Sequence, residues 1–144
     1  MRLRFVLLLA LVIALPVPGS AQNSPSSLPD WALGPFSRPV KEPILKPRPE
    51  SIFHDPLRTD PVHWEALHTF NPAVVVRNGK VMMLYRAEDD SGAMQIGMHT
   101  SRLGLAESED GIHFTRQPEP VFYPAEDSQK SREWPGGVED PRIV

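Results

Sequence analysis

Two carboxylates stand side by side in the segment Trp134–Val144, which reads WPGGVEDPRIV. Glu139 and Asp140 lie between a glycine pair and a proline, and Arg142 follows two residues after Asp140. A carboxylic acid can give up a proton in catalysis when its pKa is raised toward the working pH. Burial raises it, and a neighbouring like charge, as Glu139 would be for Asp140, raises it too. The plainer reading of Asp140-Pro141 is a turn starter. If the segment runs as a regular strand, Arg142 shares a face with Asp140 and Glu139 points the other way. On that face a guanidinium can orient a carboxylate, contact a substrate hydroxyl or form a structural salt bridge.

Other polar residues stand where chemistry or a structural partner is needed. Asn71, in FNPA, precedes an apolar run, and its amide can both donate to and accept from hydroxyls; it can equally cap a turn before Pro72. Arg86, in LYRA, ends a buried-looking run, so its charge requires a partner there. Arg102 opens SRLGLA, and Trp134 offers a flat face for stacking on a ligand or packing on neighbouring structure. The five histidines, His54, His63, His68, His99 and His113, show no ligand spacing, and no metal or organic cofactor is expected.

Short β-strands must carry these groups. In PAVVVRNGKVMMLYRAE, Asn78-Gly79 joins two apolar, β-branched-rich runs and predicts a hairpin with strands at Ala73–Arg77 and Lys80–Ala87. SRLGLAESEDGIHFTRQ repeats the pattern, with strands at Ser101–Ser108 and Ile112–Arg116 around a turn at 109–111. The intervening DDSGAMQIGMHT reads as a long loop or a short helical turn. Residues 117–137 read as a rim loop, and a new strand is expected at Pro141–Val144. Apolar residues on both faces predict buried strands. Such a meander fits one blade of a β-propeller or part of a β-sandwich.

The beginning of the chain points to export. MRLRFVLLLALVIALPVPGSAQ has two early arginines, an apolar run and a small-residue site ending at Ala21, the three-part pattern of a secretory signal peptide over residues 1–21. The apolar run is shorter than the roughly 20 residues of a spanning helix, so no stable membrane anchor is expected after cleavage. The net charge of −3 becomes −5 without Arg2 and Arg4, because 13 basic residues then face 18 acidic ones. With no basic run, nucleic acid is a poor partner. The absence of cysteine excludes a disulfide framework and thiolate metal ligation. Residues 22–69 hold many of the 17 prolines and read as an extended arm, with Trp31, Phe36, Ile44, Leu45, Ile52 and Phe53 available for burial.

Four segments in order, FNPAVV (Phe70–Val75), VMMLYRA (Val81–Ala87), SRLGLAESEDGIHF (Ser101–Phe114) and GGVEDPRI (Gly136–Ile143), together resemble the opening of glycoside hydrolase family 130, which contains β-mannoside phosphorylases and some β-mannosidases. The resemblance implies an all-β, five-bladed β-propeller with the active site in its central channel. Residues 70–144 would supply the first blade and the start of the second, which makes the chain an expected amino-terminal, incomplete part of the catalytic domain. It also implies roles for individual residues. Asp140 would be the single general acid, protonating the departing oxygen by way of a mannosyl hydroxyl. Asn71 and Arg86 would bind the sugar, with Arg142 as a further substrate contact.

The implied reaction cleaves β-mannoside oligosaccharides with inversion, in the periplasm or outside the cell. The attacking group is either inorganic phosphate, held by basic residues, or water activated by a carboxylate. A homo-oligomer is compatible with the full-length protein. Two other classes fit less of the pattern. One is a non-catalytic carbohydrate-binding propeller or an inactive fragment, and the other is a β-sandwich interaction domain.

Overall fold

The computed structural model describes residue 29 and residues 31–91 and 98–144. The expected signal peptide lies outside the described residues, as does most of the loop read between the two hairpins. The chain divides into two units, Met1–Ser37 and Arg38–Val144. The described part of the first is a turn at Trp31 followed by residues without regular secondary structure, with Trp31, Leu33 and Phe36 exposed.

The second unit is built on one four-stranded antiparallel sheet in the order β1-β2-β3-β4. Its strands are β1 (His68–Arg77), β2 (Lys80–Glu88), β3 (Ser101–Ser108) and β4 (Thr115–Arg116). A single-turn helix, α1 (Lys130–Glu133), lies in the segment read as a rim loop, and it is the only α-helix among the described residues. Asn78 and Gly79 have φ of 52° and 76°, the left-handed pair that a tight two-residue hairpin needs, and Arg77 pairs with Lys80.

The β3 strand matches its expected limits, but β4 is shorter than the predicted Ile112–Arg116. Asp110 causes the difference. Its Oδ1 accepts the backbone N–H groups of Ile112 and His113, both at 2.8 Å, so these donors are spent locally before the ladder to β3 can use them. Burial is also uneven. β3 is buried along most of its length, whereas Val74, Val75 and Val76 of edge strand β1 are exposed.

The core lies on one side of the sheet. Met83, Tyr85 and Ala87 alternate along β2 and meet Ala106 of β3. The other side of this cluster comes from the proline-rich segment. Phe53 and Val62 exchange backbone hydrogen bonds of 2.9 Å in each direction, and with Trp64 they enter the core. Of the other apolar residues expected to bury, Leu45 packs partly against this cluster, while Ile44 and Ile52 stay exposed.

Buried charge is paired on this framework. Glu65, fully buried, accepts from the Tyr85 hydroxyl and from Arg116 Nη1 at 3.1 Å, and Arg48 Nε lies 2.8 Å away. Burial first, and the Glu65 hydrogen bond second, push the Tyr85 phenol up. Arg102 is also fully buried. Its Nε donates to Asp55 at 3.1 Å, its Nη1 to Asp89 at 2.7 Å, and its Nη2 pairs with Asp55. Arg102 is therefore a tie between the Asp55 turn and the end of β2, with no surface left for a substrate.

Candidate active site

The carboxylate segment is fixed to the sheet through Gly137. Ser101 N donates to Gly136 O and Val138 N donates to Ser101 O, both at 2.9 Å, which makes a parallel bridge between Ser101 and Gly137. Gly137 has φ of 96°, and a Cβ there would lie 2.1 Å from Ser101 O. Only glycine lets the two backbones come this close. Val138 is buried next to the bridge, and Glu139 and Asp140 emerge from it. Gly137→Ala must push the segment away from Ser101 and so displace both carboxylates. We expect a loss of about 1–3 kcal/mol in stability together with a fall in kcat, measured by thermal unfolding and steady-state kinetics on the same preparation.

Residues 141–144 do not form the expected strand. Asp140 has φ of 44°, in the left-handed region, and this turns its side chain out of the alternation of a strand. Glu139 consequently does not point away: both carboxylates converge on Arg86. Arg86 Nη2 donates to Glu139 Oε1 at 2.8 Å and Nη1 to Asp140 Oδ1 at 3.3 Å. Arg142 contacts neither carboxylate directly; its Nη1 donates to the carbonyl oxygens of Asp140 and Pro141 at 3.0 and 2.9 Å, closing the local turn.

Asn71 arrives from the opposite direction. The β1–β2 register shifts between Phe70 and Ala73, and Asn71 within that bulge has φ of 47°. Asparagine tolerates this conformation, and Pro72 has no N–H to lose from the ladder. A bulge re-aims a side chain. Here it brings Asn71 Nδ2 to 2.7 Å from Asp140 Oδ1. An open depression of about 600 Å³ beside this contact is lined by Asn71, Pro72, Asp140 and Arg142, among others. Trp134 is not part of it; it borders a separate depression with Arg58, Asp60 and His63.

The expectation of a raised Asp140 pKa is reversed. The Asn71 hydrogen bond most of all, then Arg86 and the Arg142 charge, hold the carboxyl below the usual aspartate range, and desolvation opposes them only in part because the side chain is 42% exposed. Two groups escaped the sequence reading. Glu88 is buried and accepts Arg86 Nη2 at 2.7 Å; Ser101 Oγ accepts Arg86 Nε at 3.0 Å. Glu88 follows Arg86 by two residues, which puts both on one face of β2, and that spacing was the available signal.

The arrangement is that of a sheet-borne carboxylate centre beside an open cleft, able to exchange protons with a hydroxylated ligand. Residues 37–144 match the Glyco_hydro_130 family model, described as beta-1,4-mannooligosaccharide phosphorylase. The chain belongs to glycoside hydrolase family 130. The 1,2-beta-oligomannan phosphorylase of Thermoanaerobacter sp. (strain X514) is 36% identical over 103 residues, 72% of this chain and 29% of that protein. The beta-1,2-mannobiose phosphorylase of the same organism is 34% identical over 115 residues, 76% of this chain and 33% of that protein. A solved structure reported with the finding that this family of mannoside phosphorylases contains glycoside hydrolases that target beta-1,2 mannosidic linkages in Candida mannan is 56% identical. It superposes with a TM-score of 0.76 over 81% of this chain and 32% of its own. A glycosyl hydrolase from Bacteroides ovatus gives the same identity, TM-score and coverage. The chain thus spans about a third of the length of these relatives.

Proposed function

We propose that the protein is an exported enzyme that cleaves β-mannosides with inversion, with Asp140 as the general acid in the central channel of a five-bladed β-propeller. The observation that carries this reading is the convergence of Asn71 and Arg86 on Asp140 at the edge of an open depression. The four-stranded antiparallel sheet is the size of one propeller blade, and the Met1–Gln22 pattern supports export. The linkage in this reading is β-1,2, supported by the names of both Thermoanaerobacter relatives and by the β-1,2 hydrolases reported with the 56% identical solved structure, over the β-1,4 linkage in the family model's description.

The depressed pKa of Asp140 is compatible with acid catalysis. An acid must hold its proton when the bond breaks, and the Asn71 amide is the main group opposing this. A mannosyl hydroxyl that enters the depression and accepts the Asn71 amide removes that opposition, so substrate itself moves the Asp140 pKa upward. The proton then passes to the departing oxygen by way of the sugar hydroxyl. Arg86 and Asn71 bind the sugar, and Arg142 keeps the turn closed.

Water is the attacking group in this reading, because the relatives at 56% identity are described as hydrolases. Phosphate is the second reading, favoured by the names of the curated relatives at 34–36% identity. The test is an assay of the full-length protein on β-1,2-mannobiose with and without phosphate. Free mannose formed at equal rates in both conditions is the expected result. Mannose 1-phosphate formed only with phosphate supports the second reading, and no turnover in either condition contradicts both.

A further inference from the structure

The geometry points to Glu88 as the positioning residue of the acid: buried beside Arg86, it holds the guanidinium so that one nitrogen faces Glu139 and the other faces Asp140. This inference rests on the assignment of Asp140 as the acid.

The hydrogen-bond inventory carries it. A guanidinium has five N–H groups. In Arg86 the Nε–H goes to Ser101 Oγ, the two Nη2–H groups go to Glu88 Oε1 and Glu139 Oε1, and one Nη1–H goes to Asp140 Oδ1. Among the described residues a single Nη1–H remains, on the nitrogen that also faces Asp140. Arg86 is 12% exposed at its side chain, so the fan is nearly closed, and the guanidinium lies over the Phe70 ring with Cζ 4.6 Å from the centroid.

Glu88 is itself locked. Ser101 Oγ donates to Oε1 at 3.2 Å, His68 Nδ1 lies 2.8 Å from Oε2, and Glu88 pairs with Ser101 across β2 and β3. A planar guanidinium in contact with a free carboxylate tends to pair with it through two parallel bonds. Glu88 and Glu139 occupy the Nη2 donors that such a pair with Asp140 would need, and so prevent Asp140 from being trapped as a fully paired anion.

The charged groups around the centre fix the sign of the expected effect. Arg86 and Glu88 come from β2, His68 from β1, and Glu139, Asp140 and Arg142 from the final segment, with neutral Asn71 on the bulge. Removing the negative charge of Glu88 lowers the Asp140 pKa twice over: a repelling charge is lost, and Arg86 is released to pair more closely with Asp140. The basic limb of the kcat profile must then move to lower pH.

The experiment compares full-length wild type, Glu88→Gln, Glu88→Asp and Asp140→Asn on β-1,2-mannobiose across pH, with unfolding temperatures measured in parallel. Glu88→Gln is expected to shift the basic limb down by about half a unit to one unit, with a fall in kcat of about 3–10-fold above the limb. Glu88→Asp keeps the charge and shortens the arm; its limb should stay near the wild-type position while kcat falls. An unmoved limb in Glu88→Gln, with only a lower unfolding temperature, makes Glu88 a structural residue and overturns the inference. If Glu88→Gln fails to fold, wild-type kcat in Glu88→Asp overturns it instead. Inactive Asp140→Asn beside an unshifted Glu88→Gln leaves the acid assignment standing without the inference; active Asp140→Asn removes both.

Discussion

Asp140→Asn is expected to lower kcat on β-1,2-mannobiose by about 10²–10⁴-fold, the usual worth of a positioned general acid. The change is small in every other respect. The new amide has the same shape, and its oxygen can still accept from Asn71 Nδ2 and Arg86 Nη1, the two contacts that fix the side chain. The missing property is the transferable proton. KM should therefore stay close to wild type while kcat collapses, the pattern of a group that acts in the transition state and contributes little to ground-state binding. A matched loss in KM would mean that Asp140 mainly anchors sugar. The substitution also relieves the excess negative charge around Arg86, which faces Glu88, Glu139 and Asp140 at once, so no loss of fold is expected.

Arg102→Met is expected to be the most damaging single change to stability, by about 3–5 kcal/mol. Methionine fills much of the same volume, but Asp55 and Asp89 would be left fully buried with no positive partner. Arg102 also donates to Thr100 O at 3.3 Å, and it joins the Asp55 turn to the end of β2 that carries Glu88. Thermal unfolding of the full-length variant measures the loss. Replacing Asp55 and Asp89 by asparagine in the same chain should recover a substantial part, because the cost lies in stranded charge more than in the missing arginine. A Tm near wild type for Arg102→Met alone would show that the cluster is open to water and weakly coupled to the fold.

Local chemistry was the legible part of the sequence. Asn78-Gly79 specified its hairpin because the turn requires two left-handed residues, and the apolar run Ser101–Ser108 specified β3. The site residues Asn71, Arg86 and Asp140 could be singled out by type and motif, and the structure brings them together. Their geometry was not legible. Left-handed conformations at Asn71 and Asp140 are uncommon outside glycine, and the one at Asp140 overturns the alternation assumed for its segment. The convergence of Glu139 and Asp140 on Arg86 follows from that one dihedral.

Glu88 escaped notice for a different reason. Its value depends on cross-strand pairing with Ser101, thirteen residues further along the chain. The proline-rich segment was legible as chain with apolar residues to bury, of which Phe53 enters the core, whereas Val62 and Trp64, which join it there, were not among those expected. Asp110 shortened β4 through side-chain bonds to the backbone that compete with any ladder.

The central claim is that Asp140 supplies the proton to the leaving oxygen, and leaving-group dependence tests it most directly. The full-length wild type and Asp140→Asn are compared on β-1,2-mannobiose and on an aryl β-mannoside whose phenol is acidic enough to depart unprotonated. The account predicts a large loss of kcat on mannobiose and a rate close to wild type on the activated aryl substrate. Equal losses on both substrates, or undiminished turnover of mannobiose, would contradict it.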